Sequence, residues 1–258
     1  MPVVCLLSDF GLKDHYVGVM KACILKHCPQ AQLVDLTHHV LPQSVAEGAY
    51  YLQQSVEHFP DGTVFLSVVD PGVGSSRRAV AIQAGPYRFV APDNGLVAEA
   101  VEGLGGLSHG VELAVPVGVS STFHGRDVFA PAAGKLAAGV TLSELGSPIE
   151  KLVCLSGNTT VMRGDRIEVT VLTIDHFGNV IFDFSERHGW DALVPGNTFQ
   201  LKGRTVMFAA TYSRVLLDES LLLWNSSKLL ELAVRNGNAA KEWGLQVGQR
   251  VEVSVPTF

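Results

Sequence analysis

The chain changes texture once, near residue 160, and that change commits it to two domains of different class. Before it, strand-length apolar runs alternate with helix-length amphipathic ones: Val3–Leu7, a helix over Tyr16–His27, Gln32–Leu36, a helix from Ser44 to Phe59, then Val64–Val69. Ser44 and Glu47 are spaced as a capping box opening the second helix, and Pro60-Asp-Gly62 stops it. Strands are expected at Ala79–Gln83 and Tyr87–Ala91, helices after Asn94 and after Asp127, and a second capping box at Thr141–Glu144. Such alternation is solved by helices packed on a mainly parallel sheet, so residues 1–156 are expected to form a layered α/β domain. Beyond Ser156-Gly-Asn-Thr-Thr160 the pattern becomes β-like. Ile167, Val169, Val171 and Thr173 alternate with outward positions, and short runs at Val180–Phe184, Thr205–Ala209, Leu221–Trp224 and Val251–Val255 are separated by turns. Only Asn238–Trp243 reads as helix, with Gly244 as its stop. Residues 161–258 are therefore expected as a smaller all-β domain, a barrel.

Composition narrows the function classes. A chain of 258 residues that is 47% hydrophobic can bury one large core or two modest ones, and a net charge of -6 without any Lys/Arg run offers no footprint for nucleic acid or an anionic membrane. The apolar start Pro2–Leu7 stops at Ser8-Asp9, too short for a signal segment, and no later run reaches a membrane span, so the expected address is cytoplasmic. Cys5, Cys23, Cys28 and Cys154 are scattered without a CxxC pair, which favours free thiols over disulfides or a metal site.

The polar clusters sit where strands end. Ser8-Asp9-Phe10-Gly11 closes the first strand; Asp14 can cap the following helix, whereas Asp9 is placed as an acceptor for a ribose diol, with no GxGxxG to imply a pyrophosphate cradle. Asp70 follows the run Val64–Val69 and precedes Pro71-Gly72. It either starts a turn or, if the Gly72–Gly74 loop folds Arg77 back onto it, orients a water or hydroxyl. In Ser121-Thr-Phe-His-Gly-Arg-Asp127, His124 stands beside Gly125, which admits a ligand; Arg126 can pair with Asp127, the expected helix cap. Asp93-Asn94-Gly95 reads as a structural turn. In the β-rich half, Asp175-His-Phe-Gly-Asn179 is a hairpin connection that also offers a carboxylate to an ammonium and an amide to a base or ribose edge. His176 has no second His or Cys at ligand spacing, so a zinc site is not expected.

SDFG (8–11), VDPGVG (69–74) with Arg77, STFHGRD (121–127), DHFGN (175–179), TYS (211–213) and NSS (225–227) together resemble one family, over nearly the whole chain and in the family's order. It is the S-adenosyl-L-methionine (SAM) hydroxide adenosyltransferases, also called adenosyl-forming SAM hydrolases, relatives of fluorinase and chlorinase. The resemblance implies an N-terminal α/β domain, a C-terminal β-barrel, and a homotrimer with sites between the N-domain of one subunit and the C-domain of its neighbour. It implies hydrolysis of SAM to adenosine and L-methionine without metal or cofactor. Asp70, Arg77 and His124 would stand at the reacting water and Asp9 at the ribose hydroxyls. Asp175, Ser226 and Ser227 would meet the methionine end and Asn179 the nucleoside. Tyr212 would stack on adenine, and the segment from Glu231 to Ala239 would line the adenine side. The chain departs from the family pattern at Lys228-Leu229, where relatives commonly carry Gly-Tyr, and at Arg235-Asn236-Gly237, which reverses a usual Asn-Arg-Gly. Fluorinase replaces the Asp and His with Tyr and puts Ser where Gly125 stands, so this chain points to water as nucleophile. The alternatives are a SAM- or adenosine-binding protein without turnover, and halide-dependent adenosyl transfer.

Overall fold

A computed structural model describes residues 1–155 and 160–256. The chain divides into two compact units, Met1–Ser156 and Gly157–Phe258. The expected change of texture falls mostly on 156–159, outside the described residues.

The first unit runs β1 (Val3–Ser8), α1 (Tyr16–His27), β2 (Gln32–Thr37), α2 (Val45–Ser55), β3 (Val64–Val68), β4 (Ala79–Ala84), β5 (Tyr87–Pro92), α3 (Ala98–Gly103), β6 (His109–Leu113), α4 (Ala130–Ala137) and β7 (Gly146–Pro148). The sheet order is β2-β1-β3-β5-β4-β6-β7. Strands β2, β1, β3, β5 and β6 run one way, and β4 and β7 run against them. From β1 the chain steps to one side to place β2 and to the other to place β3, so the reversal of strand order lies between β1 and β3, at the ends that carry Ser8 and Val68. Open α/β sheets bind ligands at such a point.

Both faces of this sheet are covered, which is why its central strands read as unbroken apolar runs. On one face Val4 and Leu6 of β1 pack with Met20 and Ile24 of α1 and with Ala133 and Leu136 of α4; on the other, Cys5 and Leu7 pack with Leu52 of α2 and Val101 of α3. Each such buried aliphatic side chain contributes roughly 1.5–3 kcal/mol.

In the second unit β8 (Val161–Arg163), β9 (Arg166–Ile174), β10 (Val180–Ser185), β11 (Thr198–Leu201), β12 (Arg204–Phe208), β13 (Ser220–Trp224), β14 (Leu229–Val234) and β15 (Arg250–Ser254) form one sheet, and α5 spans Ala239–Trp243. The order β10-β14-β13-β12-β11-β15-β9 closes on itself through β9–β10, with β8 hanging from β9: a seven-strand barrel. Ile167, Val169 and Val171 of β9 point inward with Phe182, Phe199, Phe208, Leu222 and Leu232. One pairing, β12–β13, is parallel. A parallel pair cannot be joined by a tight turn, so the chain between Phe208 and Ser220 must cross over the barrel's outside. Val215 on that crossover buries Leu221, Leu223 and Ala233 beneath it.

Several expected caps are not made. His15, already helical, precedes α1 with no side-chain cap, and Asp14 makes no hydrogen bond to the first turn among the described residues, so the expected Asp14 cap is not formed. Ser44 precedes α2 but its capping box is absent. Glu47 instead accepts from Leu41 N–H at 2.6 Å and from the Tyr51 hydroxyl at 3.1 Å. The Thr141–Glu144 box does form, on a 3₁₀ turn (Leu142–Glu144). All four cysteines are free thiols, and among the described residues no helix is long and apolar enough to cross a membrane.

Candidate active site

Asp70 leaves the end of β3, and the Pro71–Ser76 turn brings Arg77 back onto it. The guanidinium grips the carboxylate as a fork, Nε to Oδ1 at 3.0 Å and Nη2 to Oδ2, with both side chains nearly buried at 9% and 5% exposure. The same Nη2 lies 2.9 Å from Nδ1 of His124, 47 residues further along the chain. A guanidinium has no lone pair to offer, so it donates and Nδ1 accepts. Neutral His124 therefore carries its proton on Nε2. Burial, and then the Arg77 charge, hold this histidine below its ordinary 6.5, against a smaller opposing pull from Asp70 and Asp127. Phe129 lies under the guanidinium at 5.1 Å and holds it by a cation–π contact.

Backbone geometry brings the two loops together. Gly74 has φ +76, and a Cβ built there would lie 2.5 Å from the Ser121 carbonyl oxygen, so only glycine lets the Asp70 loop touch the His124 segment. His124 leads into a single π turn, Gly125–Phe129, before α4. Such turns widen a helix locally and recur at functional sites. A Cβ at Gly125 would meet Met20 Sδ at 3.1 Å and Phe123 at 3.2 Å, so apolar atoms already fill that side. Asp127 does not cap α4, whose preceding residue is Phe129. It lies inside the π turn, paired with Arg126 Nε at 2.6 Å and accepting from Ser120 N–H at 3.0 Å.

Asp9 stands at the end of β1, next to β3 and Asp70 in the sheet, without a hydrogen bond to the Asp70 group. Gln43 N–H, from a residue held at φ +67, donates to Asp9 Oδ2 at 2.8 Å; Oδ1 has no partner among the described residues. The Asp93-Asn94-Gly95 turn proves to brace this end of the sheet. Asn94 Nδ2 donates to the Val69 carbonyl at 2.8 Å, extending the β3 edge by one bond beyond its ladder, and Asp93 takes Arg78 Nε at 2.8 Å. Asn94 and Phe129 were not expected to support the site; Phe129 lies just past the 121–127 motif, whereas nothing local marks Asn94 as a partner of Val69.

The second unit carries its own polar group. Asp175 Oδ1 accepts from Phe177 N–H at 2.9 Å and Asn179 N–H at 2.8 Å, and Oδ2 from Asn179 Nδ2 at 2.9 Å, closing the β9–β10 connection. Tyr212, on the crossover, donates its hydroxyl to buried Glu231 Oε1 at 2.7 Å. Burial pushes Tyr212 well up, with Glu231 and then Asp175 adding to it. Burial also raises Glu231, partly offset by the hydrogen bonds from Tyr212 and Asn225. Asn225 Oδ1 receives Ser227 N–H at 2.9 Å and Leu229 N–H at 3.1 Å, so it shapes the turn that presents Ser226 and Ser227. Lys228 in that turn has φ +57, a left-handed conformation costing a non-glycine residue about 1–2 kcal/mol. Ala239 opens α5 with its methyl in the barrel core, and the adjacent Ala240 N–H donates to Gly178 O at 2.9 Å, tying α5 to the Asp175 turn.

Comparison with known proteins gives the family. Residues 4–146 match the SAM hydroxide adenosyltransferase N-terminal domain and residues 169–252 the corresponding C-terminal domain. The chain is 36% identical to the (R)-S-adenosyl-L-methionine hydrolase of Salinispora tropica, covering 98% of each chain, and 26% identical to a fluorinase from Actinoplanes sp. over 98% of this chain and 97% of that one. A crystal structure of an uncharacterized conserved protein from Thermotoga maritima superposes with a TM-score of 0.87 at 32% identity, over 98% of this chain and all of that one. With both domain models matched in order along its length, the chain belongs to the SAM hydroxide adenosyltransferase family.

Proposed function

We propose that the protein hydrolyses SAM to adenosine and L-methionine, and that the Asp70–Arg77–His124 fork holds the attacking water. The sulfonium makes the chemistry undemanding at the leaving group. Water oxygen forms a bond to C5′, the C5′–S pair returns to sulfur as neutral thioether, and one proton is released; no general acid or metal is needed at sulfur. What the reaction requires is a water aligned opposite the C5′–S bond, and alignment of this kind is worth several orders of magnitude. With Nδ1 occupied by Arg77 and Nε2 protonated, His124 offers a donor that orients the water, and the Asp70 carboxylate is the group left to take its proton. Arg77 then stabilises the developing charge without leaving its place.

Asp9 Oδ1, unpartnered in the chain, suits a ribose hydroxyl. In the barrel unit Asp175, Ser226 and Ser227 receive the methionine end, Asn179 the nucleoside, Tyr212 the adenine face, and the strand and turn from Glu231 to Ala239 its edge. The family likeness supports a homotrimer in which the two groups are completed across neighbouring subunits, acting in the cytoplasm. The (R) sulfonium epimer, named for the Salinispora relative, is the expected substrate.

The test is incubation of the purified protein with SAM as sole substrate in the presence of a chelator, with adenosine and methionine resolved by chromatography. Equimolar products are expected. Asp70→Ala and His124→Ala should each lose about 10²–10⁴-fold in kcat while still binding adenosine. Binding without product, or formation of 5′-chloro-5′-deoxyadenosine that depends on chloride, would overturn the reading.

A further inference from the structure

A polar chain, buried at Ser8 and His38 and open to solvent at Lys21 and Asp35, runs behind Asp9 and touches none of the side chains assigned above. Lys21 Nζ on α1 donates to Asp35 Oδ2 at 2.6 Å; Asp35 Oδ1 lies 3.0 Å from His38 Nε2; His38 Nδ1 lies 2.7 Å from Ser8 Oγ; and Ser8 Oγ lies 3.3 Å from Phe10 N. Every proton in it can be placed. A carboxylate only accepts, so Nε2 of His38 donates, and the neutral ring's Nδ1 must then accept. The Ser8 hydroxyl therefore donates to Nδ1, which leaves its lone pair for the Phe10 N–H. Serine, histidine and aspartate follow one another here as in a hydrolytic triad. Ser8 is fully buried, at 0% exposure, and its oxygen accepts from Phe10 N–H, so no substrate can reach it and it is no nucleophile.

The residue enclosed by these bonds is Asp9. Ser8 and Phe10 are fixed on either side of it by the hydroxyl, Gly11 N–H donates to the His38 carbonyl at 2.7 Å, and Gln43, on the loop that His38 begins, holds Asp9 Oδ2. The ring thus sits at the join of two loops, with its side chain steering one and its backbone carbonyl clamping the other. We propose that His38, oriented by Asp35 and Lys21, is a positioning residue that aims the free Asp9 oxygen at the ribose diol. This rests on the reading of Asp9 as the ribose acceptor.

Calorimetric titration with adenosine and with 2′,3′-dideoxyadenosine separates the two ideas, because the ratio of their affinities reports the diol alone. The wild type should prefer adenosine by at least about tenfold, the worth of a hydrogen bond to a charged group. Asp9→Ala should bring that ratio close to one. His38→Ala and Ser8→Ala should each lower it several-fold with dideoxyadenosine affinity unchanged. His38→Asn, whose amide oxygen can stand where Nδ1 accepts from Ser8, should keep more of it. A wild-type ratio in Asp9→Ala, or no preference in the wild type, would sink the ribose reading and this inference with it. If Asp9→Ala loses the preference while Ser8→Ala and any folded His38→Ala retain it, or if they weaken both nucleosides equally, His38 is structural only and the inference fails.

Discussion

Because a guanidinium only donates, Arg77 dictates where the His124 proton resides, and the pH dependence of the site follows. Protonation would put a hydrogen on Nδ1, facing Nη2 at 2.9 Å, where two donors and two positive charges would meet. The folded protein accordingly holds His124 below 6.5. The sign is that of a depressed base: its contribution to stability is fully present above 6.5 and is lost as pH falls through the lower folded value. Activity should follow, since cationic His124 pushes Arg77 off Asp70. The kcat profile measured with SAM between about pH 5 and 8 is expected to show an acid limb with its midpoint below 6.5. A midpoint above 6.5 would remove His124 from this role.

At the scale of elements, the candidate site is two loops pressed together over the end of a sheet packed on both faces. Gly74 is the contact point. Gly74→Ala must place a Cβ against the Ser121 carbonyl in a left-handed backbone, and is expected to cost about 1–3 kcal/mol of stability and to lower kcat more than nucleoside affinity, because it separates Arg77 from His124. Urea melts and adenosine titration of the variant would check both. The sheet itself contains one surplus polar atom. Ser67 Oγ on β3 is the buried side-chain atom without a hydrogen-bond partner among the described residues. An unmade buried hydrogen bond costs about 1–3 kcal/mol, so Ser67→Ala should leave stability unchanged or raise it by up to about 1 kcal/mol, read as a higher denaturant midpoint at constant slope. A clear loss would mean that the hydroxyl has a partner in solution.

The whole molecule distributes its chemistry over two units with separate cores. Asp9, Asp70, Arg77 and His124 belong to the α/β unit; Asp175, Asn179, Tyr212, Ser226, Ser227 and Glu231 belong to the barrel. If the two groups meet across subunits of a trimer, neither has full function in a monomer. Mixing inactive Asp70→Ala with inactive Asp175→Ala protein, under conditions that exchange subunits, should restore turnover at those interfaces that unite two intact halves. Native mass spectrometry would confirm mixed trimers. Mixed trimers without regained activity would show that each site is built within one chain.

Periodicity determined much of this by itself. Burial follows the local repeat, so α1 was legible to the residue and β1, β2, β3 and β9 to within a residue or two, as were the strand ends that carry Asp9 and Asp70. Elements whose pattern is interrupted or doubled were not legible. β6 contains Gly110, β11 has only four residues, and β14 is buried on both faces, with the charged Glu231 in its midst, because the crossover covers its outer face. Polar partners were least legible of all. Asp14, Ser44, Glu47 and Asp127 stand at cap-like spacings, yet Glu47 and Asp127 bond to Leu41 and Ser120, while Arg77 finds its second acceptor 47 residues away. A repeat encodes which face of an element is buried. Which polar atom lies opposite another is decided only when distant segments are brought within hydrogen-bond reach, and that is a property of the tertiary structure.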